Sequence, residues 1–495
     1  MKRYLGLPLS AVLVALSLSS NTLTVWSQPP GAQLSTNITL VNLGSVEANA
    51  VIEARRSVQT GQSLWDTRTF TVAANGGQVI LFPTGSNPFP GTIGVGSAVV
   101  SADQPLAGVV QIRALNQNPT TNGAYSAISQ GDSLFFVPLV AKNLNTASGL
   151  ANSEIVVQNL GSVSTTAVIT LVPAPGTSFT QIVHTSPLIA PGASYYYTPI
   201  GDSSVSSPWY GSAVVRGVSA TIGVVANFFA GNTMQTFSAF PGNAPTTQWF
   251  IPLFAYKLSN GLSTPIVVQN LNLSGSTINT GTLSLYCQPG SGSPGSPFTS
   301  TNVIQIPHTA AYFFNPVTDS GFSVSVPNGF FGACTLTALA NVVVLVQARF
   351  VTGNPLTEEA AAYEAFPFGS TQQTLFVPLV AKRLTNGFAT ALTVQNLDLN
   401  ATANYTATYV RSALSNVGSS SYVITGTIPA GGAFIHNLRL AVGGVPAPMP
   451  DGWFGTVKVE ANKPIAGFVQ LTFLKSINPG LPNGDNFMAH NAFLQ

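Results

Sequence analysis

Phe136-Val137-Pro138-Leu139-Val140-Ala141-Lys142 returns as Phe250-Ile251-Pro252-Leu253-Phe254-Ala255-Tyr256-Lys257, and again as Phe376-Val377-Pro378-Leu379-Val380-Ala381-Lys382. Downstream of each copy an apolar run ends in Gln-Asn-Leu, at Gln158-Asn159-Leu160, Gln269-Asn270-Leu271 and Gln395-Asn396-Leu397. An earlier version, Ile38-Thr39-Leu40-Val41-Asn42-Leu43-Gly44, lacks the Pro-Leu prefix. The four asparagines, Asn42, Asn159, Asn270 and Asn396, are spaced by 117, 111 and 126 residues. A period of that length makes the chain a tandem array of one domain.

The fourth copy shows the plan of the unit. Short runs such as Thr390 to Leu397, Tyr405 to Tyr409, Ser421 to Ile428 and Ile465 to Phe473 are rich in β-branched and aromatic residues. Gly, Pro and Asn punctuate them, as in Pro429-Ala430-Gly431-Gly432, so they read as strands joined by turns. About seven strands in roughly 110 residues predict an antiparallel β-sandwich of immunoglobulin type. Thr357 to Phe366 also fits a short helix, although its aligned partners are strand ends. The expected fold is all-β: four tandem sandwiches over residues 28–132, 133–247, 248–373 and 374–495, after a signal peptide of residues 1–27.

That leader has Met1-Lys2-Arg3, an apolar stretch from Leu5 to Leu18, then small and polar residues. The apolar stretch is shorter than the ~20 residues a membrane span needs, so it reads as a cleaved secretory signal cut after Ser27 or nearer Ser20. Without Lys2 and Arg3 the chain has 15 basic and 15 acidic residues and is formally neutral. Charged residues are only 6% of the sequence. Neutral, charge-poor surfaces favour association. The lack of a Lys/Arg cluster argues against nucleic acid as a partner.

The two cysteines, Cys287 and Cys334, both lie in the third repeat, in strands that align across the unit. In an oxidising compartment they read as a disulfide, worth about 3–4 kcal/mol in the chain-entropy model. No other repeat has cysteine there, so the fold does not depend on the bridge. The repeated asparagines follow a strand and precede a turn, where an Asn side chain bonds nearby backbone. The strand containing Pro138, Leu139 and Lys142, with Pro252, Leu253 and Lys257 and with Pro378, Leu379 and Lys382, follows each short linker. It is the candidate for joining adjacent repeats. The Pro/Gly-containing linkers themselves suggest a string of beads with limited bending. Repeat 1 lacks such a strand and has room for one from another molecule.

These parts together (Gln158-Asn159, Pro191-Gly192-Ala193-Ser194, and Gly211 to Val215) resemble tandem immunoglobulin-like repeats of secreted bacterial surface proteins. The resemblance spans essentially the whole chain after the leader. It implies an all-β fold and an extracellular or cell-surface setting; such modules serve as spacers, adhesins and assembly subunits alike.

No catalytic constellation accompanies the repeats. His184, His308, His436 and His490 fall at different places in their units and read as incidental surface or strand residues. No zinc-ligand spacing or nucleophile elbow occurs, so neither catalytic residues, metal nor cofactor are expected. The functional expectation is an extracellular structural protein: a self-associating subunit of a filament, sheath or layer. The alternative is a secreted adhesin or carbohydrate binder that stacks sugars on Trp65, Trp209 or Tyr195-Tyr196-Tyr197. Partners are then other copies, other surface proteins or glycans.

Overall fold

The computed structural model describes residues 10–16, 33–82, 95–115, 120–146, 148–243, 246–273, 282–314, 326–350, 358–442 and 449–494. Nearly all regular structure among them is antiparallel β; two three-residue 3-10 turns, Val58–Thr60 and Pro199–Gly201, are the exceptions. The expected leader is described only over Ser10–Leu16 and its cleavage region lies outside the described residues.

Each repeat is a sandwich of two sheets. In repeat 2, the opening strand Leu134–Lys142 pairs with the glycine strand Trp209–Gly217, which continues to the hairpin Ala167–Pro173 and Ile182–Thr185. The second sheet holds the motif strand Gly149–Asn159, the return strand Ile222–Ala230 and the axial strand Thr233–Ser238. Repeat 4 repeats this plan with opening strand Thr374–Lys382, hairpin Ala403–Arg411 and Ser421–Ile428, and glycine strand Trp453–Ala461. Its second sheet holds Phe388–Asn396, Ile465–Phe473 and Phe487–Asn491. In repeat 3 the glycine and return strands are one 21-residue strand, Phe330–Phe350, shared between both sheets. Thr246–Tyr256 opens that repeat, Ile266–Asn270 is its motif strand and Glu359–Glu364 its axial strand. Thr357 to Phe366 therefore enters a strand from Glu359 onward, not a helix.

Repeat 1 has motif strand Gln33–Asn42, hairpin Ala48–Arg56 and Leu64–Val72, glycine strand Gly96–Ala102, return strand Leu106–Leu115 and axial strand Asn122–Ser126. Ser10–Leu16 of the expected leader pairs with Gly96–Ala102, where the other repeats place their opening strands.

Local chemistry explains the recurring details. Proline cannot donate to a ladder and is tolerated at bulges. Pro138-Leu139, Pro252-Leu253 and Pro378-Leu379 each sit in a register shift, between Val137 and Val140, Ile251 and Phe254, and Val377 and Val380. The glycine opposite each bulge has no room for a Cβ. At Gly211 it would come 2.1 Å from the Val172 carbonyl oxygen, and at Gly455 2.0 Å from that of Val410. The aromatic phrase closing a repeat folds back on its own opening strand: Phe240 pairs with Phe136, Phe366 with Phe250, and Phe493 with Phe376.

The outer hairpins alternate buried and exposed residues, but Ile222–Ala230, Phe388–Asn396 and Ile465–Phe473 are buried at every position. A strand apolar on both faces is covered on both faces. One face meets its own sandwich and the other meets the neighbouring repeat. The opening strand of repeat 2 packs on the motif strand of repeat 3, that of repeat 3 on the motif strand of repeat 4, and that of repeat 4 on Gln33–Asn42 of repeat 1. The axial strands meet in the same order, 1 with 2, 2 with 3, 3 with 4, and 4 with 1. The four repeats form a closed cycle rather than the expected string of beads. The short linkers permit this because the faces they connect are too apolar to stay apart.

A compact chain of this length has a radius of gyration of about 23 Å, whereas four separated sandwiches in line would give roughly 40 Å. Small-angle scattering of dilute protein should return the smaller value; a value near the larger one would mean the cycle is open in solution.

Candidate functional site at the repeat junctions

The repeated asparagines are buried and bond to backbone at both ends of their amides. Asn42 Nδ2 donates to the Val46 and Val72 carbonyls (2.7 and 3.0 Å), while its Oδ1 accepts from Gly44 N (2.8 Å). Asn159 does the same with Val163, Ile189 and Gly161, and Asn396 with Ala401, Ile428 and Asp398. Asn270 bonds Ile306 O and Asn272 N. Each therefore ties the end of its motif strand to the turn beyond and to a segment about thirty residues further on.

The preceding glutamine, which the sequence pattern contains but whose role it does not announce, reaches across a junction in repeats 3 and 4. Gln269 Nε2 donates to Ala213 O of repeat 2 (3.1 Å) and to Thr309 O of its own turn (2.9 Å). Gln395 Nε2 bridges Cys334 O of repeat 3 and Gly431 O. Serines of the glycine strands add to this: Ser97 Oγ donates to Gly192 O (2.9 Å) and Ser212 Oγ to Thr309 O (2.8 Å), each from one repeat to the next. At the closing junction the glutamine position is Val41, buried with Ala107 against Phe376 of repeat 4.

The opening strands meet the neighbouring repeats by packing. Their backbone partners lie in their own repeat, so they do not join repeats through a ladder. Their side chains do reach the neighbour: Phe250 packs with Leu397 and Ala466, and Phe376 with Val41 and Ala107. The motif's first Phe thus makes the junction, alongside the buried Leu139 and Leu253. Lys142 and Lys382 instead cap loops of their own repeats. Lys142 Nζ donates to Asp202 O and Val205 O (2.7 and 2.8 Å), and Lys382 Nζ to Leu440 O (3.0 Å). Lys257 is not their counterpart: Tyr256 faces Phe330 as Lys142 faces Trp209 and Lys382 faces Trp453. Lys257 has a positive φ of 47°, like Asn143 and Arg383, and lies over the Tyr256 ring.

Where the axial strands meet, one register position bonds around the whole cycle. Ser238 Oγ donates to Ser126 O (2.9 Å), Ser238 N to Glu364 Oε1 (2.6 Å), Asn491 Nδ2 to Glu364 O (2.9 Å) and Ser126 Oγ to Asn491 O (2.9 Å). Asp485 is the other polar centre. Its side chain is fully buried and accepts from Met234 N (2.9 Å), Ala360 N (3.2 Å) and Phe487 N (3.2 Å), while its carbonyl accepts from Asn122 Nδ2 (2.5 Å). One residue therefore touches all four repeats. Burial raises its carboxyl above the ordinary range, opposed by the backbone donors and reinforced by nearby Glu359.

The remaining polar groups are structural in their contacts. Cys287 and Cys334 form a disulfide between neighbouring strands. His436 and His490 are core residues, not surface ones. His436 lies between the Tyr405 and Tyr409 hydroxyls (3.0 and 2.7 Å), and burial lowers both histidines to about 4. His184 has Tyr195 Oη on Nε2 (2.7 Å) and Asp202 3.6 Å from Nδ1. Trp209 is fully buried and Tyr196 and Tyr197 are buried, so these rings are not available to stack on a sugar. Trp65 is partly covered by Arg56. Among the described residues, no group of three or more His, Cys, Asp or Glu could hold a metal, and no helix is long and apolar enough to cross a membrane. A cavity of about 350 Å³ lies at the repeat 2–3 junction, lined by Pro138, Leu139, Tyr210, Phe228, Phe313 and Arg349.

No family model matches the chain, and no curated protein matches it. A solved structure that it is similar to is the crystal structure of Thermotoga maritima 1070, at 15% identity and a TM-score of 0.19, covering 23% of this chain and 96% of that one.

Two outcomes test the junction chemistry. Asp485→Ala leaves three backbone donors unpaired, so it should cost about 3 kcal/mol or more in denaturant unfolding. Hydrogen exchange should quicken in Thr233–Ser238 and Glu359–Glu364 together; exchange confined to repeat 4 would show that Asp485 does not bind the cycle. Glu154, 1% exposed and holding Asn227 Nδ2 at 3.2 Å, is raised by burial to about 7. Its folded pKa lies above the unfolded value near 4.5, so its stabilising contribution is complete below the lower value and is lost as pH rises toward 7. Glu154→Gln should therefore gain ~3 kcal/mol over the parent chain on going from pH 4.5 to pH 8. Equal differences at both pH values would mean the carboxyl is not raised.

Proposed function

We propose that this is an extracellular structural protein, exported by its leader, whose closed four-repeat units associate through strand edges into a surface filament, sheath or layer. The observation that carries this reading is the chemistry of the perimeter. Ile182–Thr185, Phe298–Val303 and Ser421–Ile428 are the outermost strands of their sheets and contain no Asp, Glu, Lys or Arg. Soluble proteins normally guard such edges with charge, proline or bulges, because an open row of N–H and C=O groups is a template for pairing. These edges also expose apolar side chains, with Val183 at 60% and Val423 at 62%. A chain with 6% charged residues offers little repulsion against that pairing.

The polar groups at the junctions are occupied in holding repeats together, which suits a structural part better than a reaction centre. Val183→Lys combined with Val423→Lys should leave the fold intact and raise the concentration needed for association by about tenfold or more. Light scattering and electron microscopy of parent and variant measure this. Unchanged assembly, or isolated particles from the parent at every concentration, would overturn the reading.

A further inference from the structure

In repeats 2, 3 and 4 the glycine strand is paired on both sides, by the hairpin and by the opening strand. Among the described residues, repeat 1 reaches the same state through Ser10–Leu16. The registers are equivalent: Leu16 faces Gly96 as Val140 faces Gly211 and Val380 faces Gly455. Val12 faces Val100 as Phe135 faces Val215 and Leu375 faces Val459. Ser10–Leu16 crosses this span one residue shorter, without the Pro-Leu bulge. An apolar segment at the head of the chain thus stands where three buried opening strands stand elsewhere.

We infer that the free edge of Gly96–Ala102 is a strand-acceptor site. Residues 10–16 fill it while they remain attached. After their removal it takes an extended apolar segment of a partner polypeptide, with the pattern aromatic–aliphatic–Pro–Leu–aliphatic–Ala seen in the opening strands. In the cell this depends on the export reading above, because leader cleavage is what empties the site.

Three considerations fix the occupant. Seven residue pairs join Ser10–Leu16 to Gly96–Ala102, so its loss strips a long run of backbone groups of their partners. The site is also roofed: in repeat 2 the equivalent strand packs on its own motif and return strands and on the motif strand of repeat 3. Only a single extended segment fits such a space, not the edge of another sheet. Tyr196 Oη and Ser97 Oγ, bonded to Gly96 O (2.6 Å) and Gly192 O (2.9 Å), make the site continuous with the repeat 1–2 junction. Finally, the described residues of a second copy hold no spare opening strand. Among the described residues, a chain cut after Ser27 has four such sites and three opening strands, so exchange between copies leaves one site per chain empty. The complementing strand comes from a different protein, by β-augmentation.

The test uses the full chain with a protease site placed between Ser27 and Gln28, cut only after folding. The probe is a fluorescent synthetic peptide of residues 134–142. The cut chain should either retain its leader peptide noncovalently or, once that peptide has left, bind the probe one to one; the uncut chain should not bind it. N-methylation of alternate probe residues should weaken binding by about 100-fold, since it removes ladder hydrogen bonds of ~1 kcal/mol each. Loss of the leader without probe uptake, by a chain whose circular dichroism is unchanged, would overturn the inference. So would equal binding to cut and uncut chain. The N-terminal mass of native protein tests the export reading separately: a chain that keeps residues 10–16 would sink that reading and leave the acceptor result standing.

Discussion

A strand that is apolar on both faces has to be covered on both, and this constraint organises the molecule. A sandwich alone covers only the inner face of each sheet. The outer faces of Ile222–Ala230, Phe388–Asn396 and Ile465–Phe473 would meet water unless another repeat lay against them. In an open array the terminal units need special polar caps. Here the last repeat covers the first, with Phe376 on Val41 and Ala107, and no terminal cap is needed. Burial drives closure, and hydrogen bonding then chooses its geometry, since apolar contact is non-directional.

The polar contacts show how closure is made specific. Four similar sandwiches could stack in other registers if only apolar surface decided. Gln269 and Gln395 prevent slippage by pairing with carbonyls on both sides of a junction. The same residues leave their Oε1 atoms, like that of Gln158, without a partner. Each such atom costs of the order of 1–3 kcal/mol, a cost that is offset by the surrounding burial and that would rise further in a misplaced register. The axial position varies instead of repeating: Ser126, Ser238, Glu364 and Asn491 each bond a neighbour in their own way. That variation gives each repeat its place in the cycle.

Much of one repeat was legible in the sequence and little of the cycle was. Strands, turns and the hairpins followed from short β-branched runs punctuated by Gly and Pro, because those signals act within a few residues. The Pro-Leu bulge was visible as a proline in a strand. The unbroken apolar runs were visible too, but periodicity alone does not distinguish coverage by the same domain from coverage by the next. Sequence identity aligns Lys257 with the other two lysines, but the register gives their slot to Tyr256, which is only half-buried. Asp485 carried no signal at all. It is one acid just before a strand, and its importance comes from four strands converging there from distant parts of the chain.

The scarcity of charge follows from the same geometry. A cycle of sheets stacked face to face leaves few surfaces where a charged side chain can stay hydrated, and buried charges are costly unless paired. Burial shifts both inner acids, Glu154 and Asp485, toward their neutral forms, and Asp485 also gathers backbone donors. What remains outside is a rim of hairpin edges, and most of those lack the charges that would keep other strands away. The backbone pairing and apolar faces that build most of the interior are also the materials of that rim. Those uncharged edges are the feature on which the proposed association through strand edges rests.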